Sequence, residues 1–239
     1  MGRIRATARV AVGPSTVERA EAAERRRTER RPFRTEPVPL GVVRSLLGVA
    51  VDPGVYAYAV ERADEKLDLA VVFSWADRVE MADPAYRAEL ARWTRHPHAD
   101  APDGVPASAV PHLPAGTPRH SDVPMRDFEA GITGGQLLTE VVDERPLYLV
   151  VFSTADGREG RLRAGEAYAR ISVEAARLGL ASSAMTQAVD LPSVRERFRM
   201  LMDWPDHPQM VLRVGRPEPG PTPPPTGRRP LPDVLTFED

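Results

Sequence analysis

Cysteine and asparagine are both absent from this 239-residue chain, and a single lysine, Lys66, stands among its 32 basic side chains. Without cysteine there are no disulfides, no thiolate catalysis, no iron-sulfur cluster and no cysteine-bound zinc. No apolar run approaches the roughly 18 residues that a bilayer-spanning helix requires. Met1 to Val12 carries arginines but no apolar signal core, so a cytoplasmic address is expected and a membrane partner is not. A Gly-rich phosphate loop is missing: Gly131, Gly134 and Gly135 have neither its spacing nor the lysine that follows it. No serine sits in a nucleophile elbow, which leaves hydrolase chemistry without a carrier. The net charge of −2 and pI near 6.2 give the whole molecule no field to draw it to nucleic acid, so any anion must be held locally.

What is present is ordinary globular material, 42% hydrophobic and 28% charged. The alternation Ile4, Ala6, Ala8, Val10 predicts a short N-terminal strand, ended by Gly13 and Pro14. Thr16 to Arg27 reads as a helix capped by Ser15 or Thr16. Pro39 suits the first turn of a helix burying Val43, Leu46, Leu47 and Ala50, and Asp52-Pro53-Gly54 stops it. A strand over Val55 to Val60 follows. The next helix carries Leu69, Val72, Phe73, Ala76 and Val79 on one face, and another from Pro84 buries Tyr86, Leu90 and Trp93. Between Arg95 and Arg126 lie seven prolines and four histidines with little periodicity, the composition of a lid-like loop. Leu147 to Phe152 reads as a strand buried on both faces. Ala164, Ala167, Tyr168, Ile171, Ala175 and Leu178 mark a long helix that Gly179 ends. Ser193 begins a helix with Val194, Phe198 and Leu201 inward, Met210 to Val214 is a last strand, and eight prolines from Pro217 onward make an extended tail. The order is α+β. It divides into a lead-in over 1–24, a domain over 25–216 and a tail over 217–239.

Six arginines, Arg25, Arg26, Arg27, Arg30, Arg31 and Arg34, fall within ten residues around the hydroxyl of Thr28. Guanidinium groups hold phosphate oxygens bidentately, so a phosphate site is one reading, and a solvated helix end paired with Glu24, Glu29 and Glu36 is the other. Arg228 and Arg229 follow the proline run, where a stiff tail can lay cations on a chosen surface or simply remain a charged terminus. His96 and His98 have only Asp100 and Asp103 nearby, and no metal site is expected from them.

The ordered series Arg26-Arg27-Thr28-Glu29-Arg30-Arg31-Pro32-Phe33 and Glu36-Pro37-Val38-Pro39 resembles the signature that begins nitroreductase domains, in its mycobacterial Acg-type form. Arg163 to Ala181 resembles the family's interface helix. Met185-Thr186-Gln187, His207 to Gly215 and Thr226 to Leu235 resemble later segments, so the similarity runs from about Arg25 to Leu235. The resemblance implies a nitroreductase-like mixed sheet flanked by helices, built as half of a dimer or of a fused pseudo-dimer. It also implies FMN as cofactor, held at its phosphate and ribityl end by Arg26, Thr28 and Arg30, with Arg228 or Arg229 adding charge. The activity it implies is hydride transfer from NAD(P)H through the flavin to a nitroaromatic or quinone-like acceptor, with no catalytic side chain required. Acg-type proteins carry an upstream segment, A-P-S-x-H-N-x-Q-P-W, that meets the flavin ring. Nothing here matches it, so an N-terminally shortened member is expected. Glu29 stands where the family often has asparagine and would oppose FMN unless an arginine neutralises it. Two other functions follow from the same residues: a flavin-sequestering protein without turnover, and an interaction module gripping an anionic partner.

Overall fold

The computed structural model describes residues 12–94, 103–105, 123, 144–220 and 225–236. The expected N-terminal strand and nearly all of the expected lid, His96 and His98 included, lie outside them. The chain runs α1 (Pro14–Arg25), α2 (Leu40–Ala50), β1 (Val55–Val60), α3 (Ala63–Ala82), α4 (Pro84–Thr94), β2 (Leu147–Ser153), α5 (Arg158–Arg177), β3 (Ala181–Met185), α6 (Gln187–Asp190), α7 (Pro192–Leu201), β4 (His207–Gly215) and α8 (Leu231–Val234).

β2 carries no polar residue before Ser153 and is buried along its whole length, as a central strand covered on both faces must be. It pairs antiparallel with β1 on one side and β4 on the other, and β4 pairs antiparallel with β3, giving the order β1-β2-β4-β3. Among the described residues the parallel component is confined to an isolated bridge between Thr28 and Ser182. Because side chains alternate across a strand, Leu149, Val151, Leu212 and Val214 face one layer, where α2 and α5 supply Leu46, Ala50, Ala167 and Ile171. Val150, Phe152 and Val211 face the other, where α3 and α7 supply Leu69, Phe73, Val194 and Phe198. The result is a sheet with a helical layer on each face, and α1 packs outside against α5.

Helix starts differ from expectation in a consistent way. α1 and α7 begin at Pro14 and Pro192 rather than at Thr16 and Ser193, because proline fixes the helical φ and the first turn needs no N–H from it. Ser15 and Thr16 do not cap; Gly13 does, without a side-chain bond. Pro39 stands just before α2 rather than inside it. Trp93 and Leu201, expected inward, are exposed at the helix ends. β3 was not expected at all, and the tail contains the short helix α8.

Candidate functional site: an arginine cleft sewn to the sheet

α1 stops at Arg25, and Arg26 turns the chain extended. The segment that follows lies along the edge of β3. Thr28 bridges Ser182 in parallel, and the Glu29 N–H donates to the Ser182 carbonyl at 3.0 Å. A few residues on, Phe33 pairs antiparallel with Pro217, just past β4, and the Arg34 N–H donates to the Arg216 carbonyl at 3.0 Å. The arginine-rich segment is thus stitched to two separate parts of the sheet edge.

Arg213 locks it in place. Its side chain is 1% exposed, inside the apolar run Val211-Leu212-Arg213-Val214 of β4. Nη1 donates to both Glu144 carboxylate oxygens at 3.0 Å, and Nη2 donates to the Arg31 carbonyl at 2.8 Å. The guanidinium lies 4.4 Å from the centroid of the Phe33 ring, and the Phe33 N–H donates to Glu144 Oε2 at 2.9 Å. A buried charge pair of this kind persists only when its remaining hydrogen-bonding capacity is met, and backbone of the arginine segment meets much of it here. Gly215 permits the approach, since a Cβ there would stand 2.5 Å from the Phe33 ring.

Beside this lock opens a cleft of about 230 Å³ walled by Arg25, Arg26, Arg27, Ser172, Ser182 and the start of the tail at Pro217. Glu29 also lines it, buried at 3% exposure, but its carboxylate is taken by Arg31. The Arg31 backbone N–H and Nε donate to Oε1 at 2.9 Å each, and Nη2 donates to Oε2 at 2.6 Å. The hydrogen bond to Glu29 holds the Arg31 pKa above its ordinary value despite partial burial. The carboxylate expected to repel an anion is therefore neutralised by its neighbour two residues on. Ser172 Oγ, on α5, is buried beside the cleft and has no hydrogen-bond partner.

Of the residues singled out in the sequence, Arg26 lines this cleft, while Thr28 and Arg30 flank it without lining it. Arg228 and Arg229 do not line it either. Arg228 Nη1 donates to the Thr226 and Gly227 carbonyls, and Arg229 pairs with Asp103, all of them exposed contacts. The single chain brings the beginning of the tail to the arginine segment and leaves the tail arginines elsewhere. Sequence reasoning passed over Arg213 and Glu144, although an arginine inside the run Val211-Leu212-Arg213-Val214 is the mark of a buried charge with a partner.

No family model matches the chain. Among solved structures, iodotyrosine deiodinase bound to FMN and 3-iodo-L-tyrosine superposes with a TM-score of 0.55 at 18% identity, covering 92% of this chain and 98% of that one. A nitroreductase with bound FMN from Bacteroides fragilis gives 0.51 at 12% identity over 93% and 99%. The fold is that of the nitroreductases. In sequence, an uncharacterized protein of Mycobacterium tuberculosis H37Rv is 32% identical over 221 residues, 91% of this chain and 61% of the relative. A protein of the same strain provisionally named NAD(P)H nitroreductase acg is 30% identical over 218 residues, 91% and 64%. The chain is thus similar in sequence to mycobacterial proteins that include a provisionally named nitroreductase, and it shares the nitroreductase fold. It spans about three fifths of the length of those curated relatives.

Proposed function

We propose that this chain supplies the phosphate-binding part of an FMN-dependent NAD(P)H oxidoreductase acting on nitroaromatic or quinone-like acceptors. The observation that carries this reading is the cleft at the end of α1, which Arg25, Arg26 and Arg27 line while the nearby Glu29 carboxylate is already neutralised by Arg31. A dianionic headgroup suits that donor set, because guanidinium groups bind phosphate oxygens through paired N–H bonds. Ser172 Oγ, buried, unpartnered and on a residue that lines the same cleft, is one further donor for that anion. A cleft of about 230 Å³ fits the phosphate end of the cofactor and not its ring. The ring lies against surface contributed by the rest of the assembly, a second copy or the second half of a pseudo-dimer.

When bound, the flavin supplies the hydride chemistry. The chain's own residues bind and orient: Arg26 and its neighbours hold the headgroup, Arg31 keeps Glu29 from opposing it, and Arg213 fixes the backbone on which both stand. Arg228 and Arg229 complete the charge from the tail. Their present contacts are exposed, Arg228 to tail carbonyls and Arg229 to Asp103, and an exposed ion pair contributes about 0–1 kcal/mol, so releasing Arg229 costs little.

The test is spectroscopic. Purified protein titrated with FMN shows a shifted, structured flavin band, bleached by anaerobic NADPH and restored by a nitroaromatic or quinone. Bound flavin that NADPH leaves oxidised favours the sequestering alternative, and no flavin binding at all removes the proposal. The double variant Arg26→Ala, Arg228→Ala is expected to weaken FMN about tenfold or more while leaving riboflavin nearly unchanged. Equal loss for both ligands contradicts the phosphate assignment.

A further inference from the structure

On the other side of the Glu144 carboxylate lies a second concavity, of about 420 Å³, between the start of α2, the end of β1, the first turn of α3 and the entry to β2. Its apolar lining is the half-buried Val38, with Val43, Val60 and Leu147 largely buried behind it. Two cations line it, Lys66 and Arg145, and neither side chain forms an ion pair or hydrogen bond among the described residues.

The acids around it are largely committed. Asp64 pairs with Arg62, and Glu65 accepts from the Tyr58 hydroxyl. Glu144 is taken by Arg213 and the Phe33 N–H. Glu61, exposed at the rim, is the one cleft-lining carboxylate without a partner among the described residues. An unpaired ammonium and an unpaired guanidinium above apolar walls make a surface for an apolar body bearing one negative charge. Ligand pockets of a few hundred Å³ commonly combine apolar walls with a few polar groups of this kind.

We propose that this cleft is a second ligand site, separate from the arginine cleft, for a small amphipathic carboxylate. Its apolar part packs on Val38, Val43, Val60 and Leu147, and its carboxylate lies between Lys66 and Arg145. The site does not depend on the flavin reading, since it shares no lining residue with the arginine cleft.

Lys66 is the only lysine, which makes the test residue-specific. Reductive methylation of the whole chain with isotope-labelled formaldehyde preserves the charge and yields one dimethyl-lysine resonance beside that of the α-amine. Titration with benzoate is expected to move the Lys66 resonance to saturation, with a Kd of about 1 mM or tighter. Benzamide and inorganic phosphate, which keep only the apolar body or only the charge, are expected to bind at least about tenfold more weakly. Arg145→Gln should weaken benzoate about tenfold, Glu61→Gln should tighten it about threefold, and Arg26→Ala should leave it unchanged. A Lys66 resonance that does not move at about 10 mM benzoate, or that moves equally with benzamide or phosphate, overturns the proposal. So does loss of the effect in Arg26→Ala.

Discussion

At the scale of single residues, the arginine segment depends on Arg213 more than on any of its own side chains. Its guanidinium is shared by the Glu144 carboxylate, the Arg31 carbonyl and the face of Phe33. Arg213→Met removes one partner of a buried pair and leaves the Glu144 carboxylate without the Arg213 guanidinium. The expected destabilisation is about 3–5 kcal/mol, and adding Glu144→Leu should recover a large share of it. Thermal or urea unfolding of the two single variants and the double variant checks this; simple additivity would count against a coupled pair. Gly215→Ala forces a methyl group into the Phe33 ring. It should cost about 1–3 kcal/mol, and Phe33→Leu in the same background should relieve part of that strain. The sequence announces one half of this lock, because a charge inside an apolar strand must have a partner. It conceals the other half, since Glu144 lies 69 residues away and no local pattern points to it. Glu29 shows the reverse case: the conflict with an anion is visible in the sequence, and its resolution by Arg31 follows from the turn that brings the two together.

At the scale of elements, the strongly patterned pieces are the legible ones. β2 announces itself by an unbroken apolar run, α5 by its stripe of Ala164, Ala167, Ile171 and Ala175, and the end of α5 by Gly179 with φ of 72°. β3 is a five-residue strand containing Ser182 and Ser183, too short and too polar for periodicity to reveal. It exists because β4 and the arginine segment both pair with it, which is tertiary information. α5 is tied to α2 by Glu174, which accepts from Ser45 Oγ at 2.9 Å and from Arg177 Nε and Nη2 at 2.8 Å each. The Arg177 hydrogen bond holds the Glu174 pKa below the ordinary carboxylate value against the opposing effect of burial, with Ser45 assisting. A depressed folded pKa means that this stabilisation is complete above the unfolded value of about 4.3 and disappears as pH falls through the folded value. Glu174→Gln should therefore lower Tm at neutral pH, and the difference from the parent should shrink on acidification below about pH 4. Parallel melting curves from pH 7 downward measure it, and a difference independent of pH would show that charge plays no part.

At the scale of the whole molecule, fold and sequence relatives agree while the length does not match: the chain spans about three fifths of its curated relatives. Among the described residues one sheet lies between two helical layers, each with its own apolar cluster. The tail is different. Residues 225–236 are largely exposed, and their contacts with the body are few and polar. Deleting residues 225–239 should leave Tm within about 2 °C of the parent, since surface segments contribute little to stability. The same deletion should reduce the preference for FMN over riboflavin if Arg228 and Arg229 reach the headgroup. Calorimetry and fluorescence quenching read the two effects separately, and an unchanged preference would assign the phosphate to the body alone.

The stitching of Arg34 to Arg216 and of Arg31 to Arg213 has a consequence for the chain during its synthesis. The basic segment leaves the ribosome early, whereas the strand that must receive it is made 182 residues later. At translation rates of about 5–20 residues per second, the interval is on the order of ten to forty seconds. Throughout that time six arginines hang in solution without their sheet edge, and ribosomes stalled before Arg213 should display a nascent peptide whose anion binding makes no distinction between FMN and any other phosphate ester.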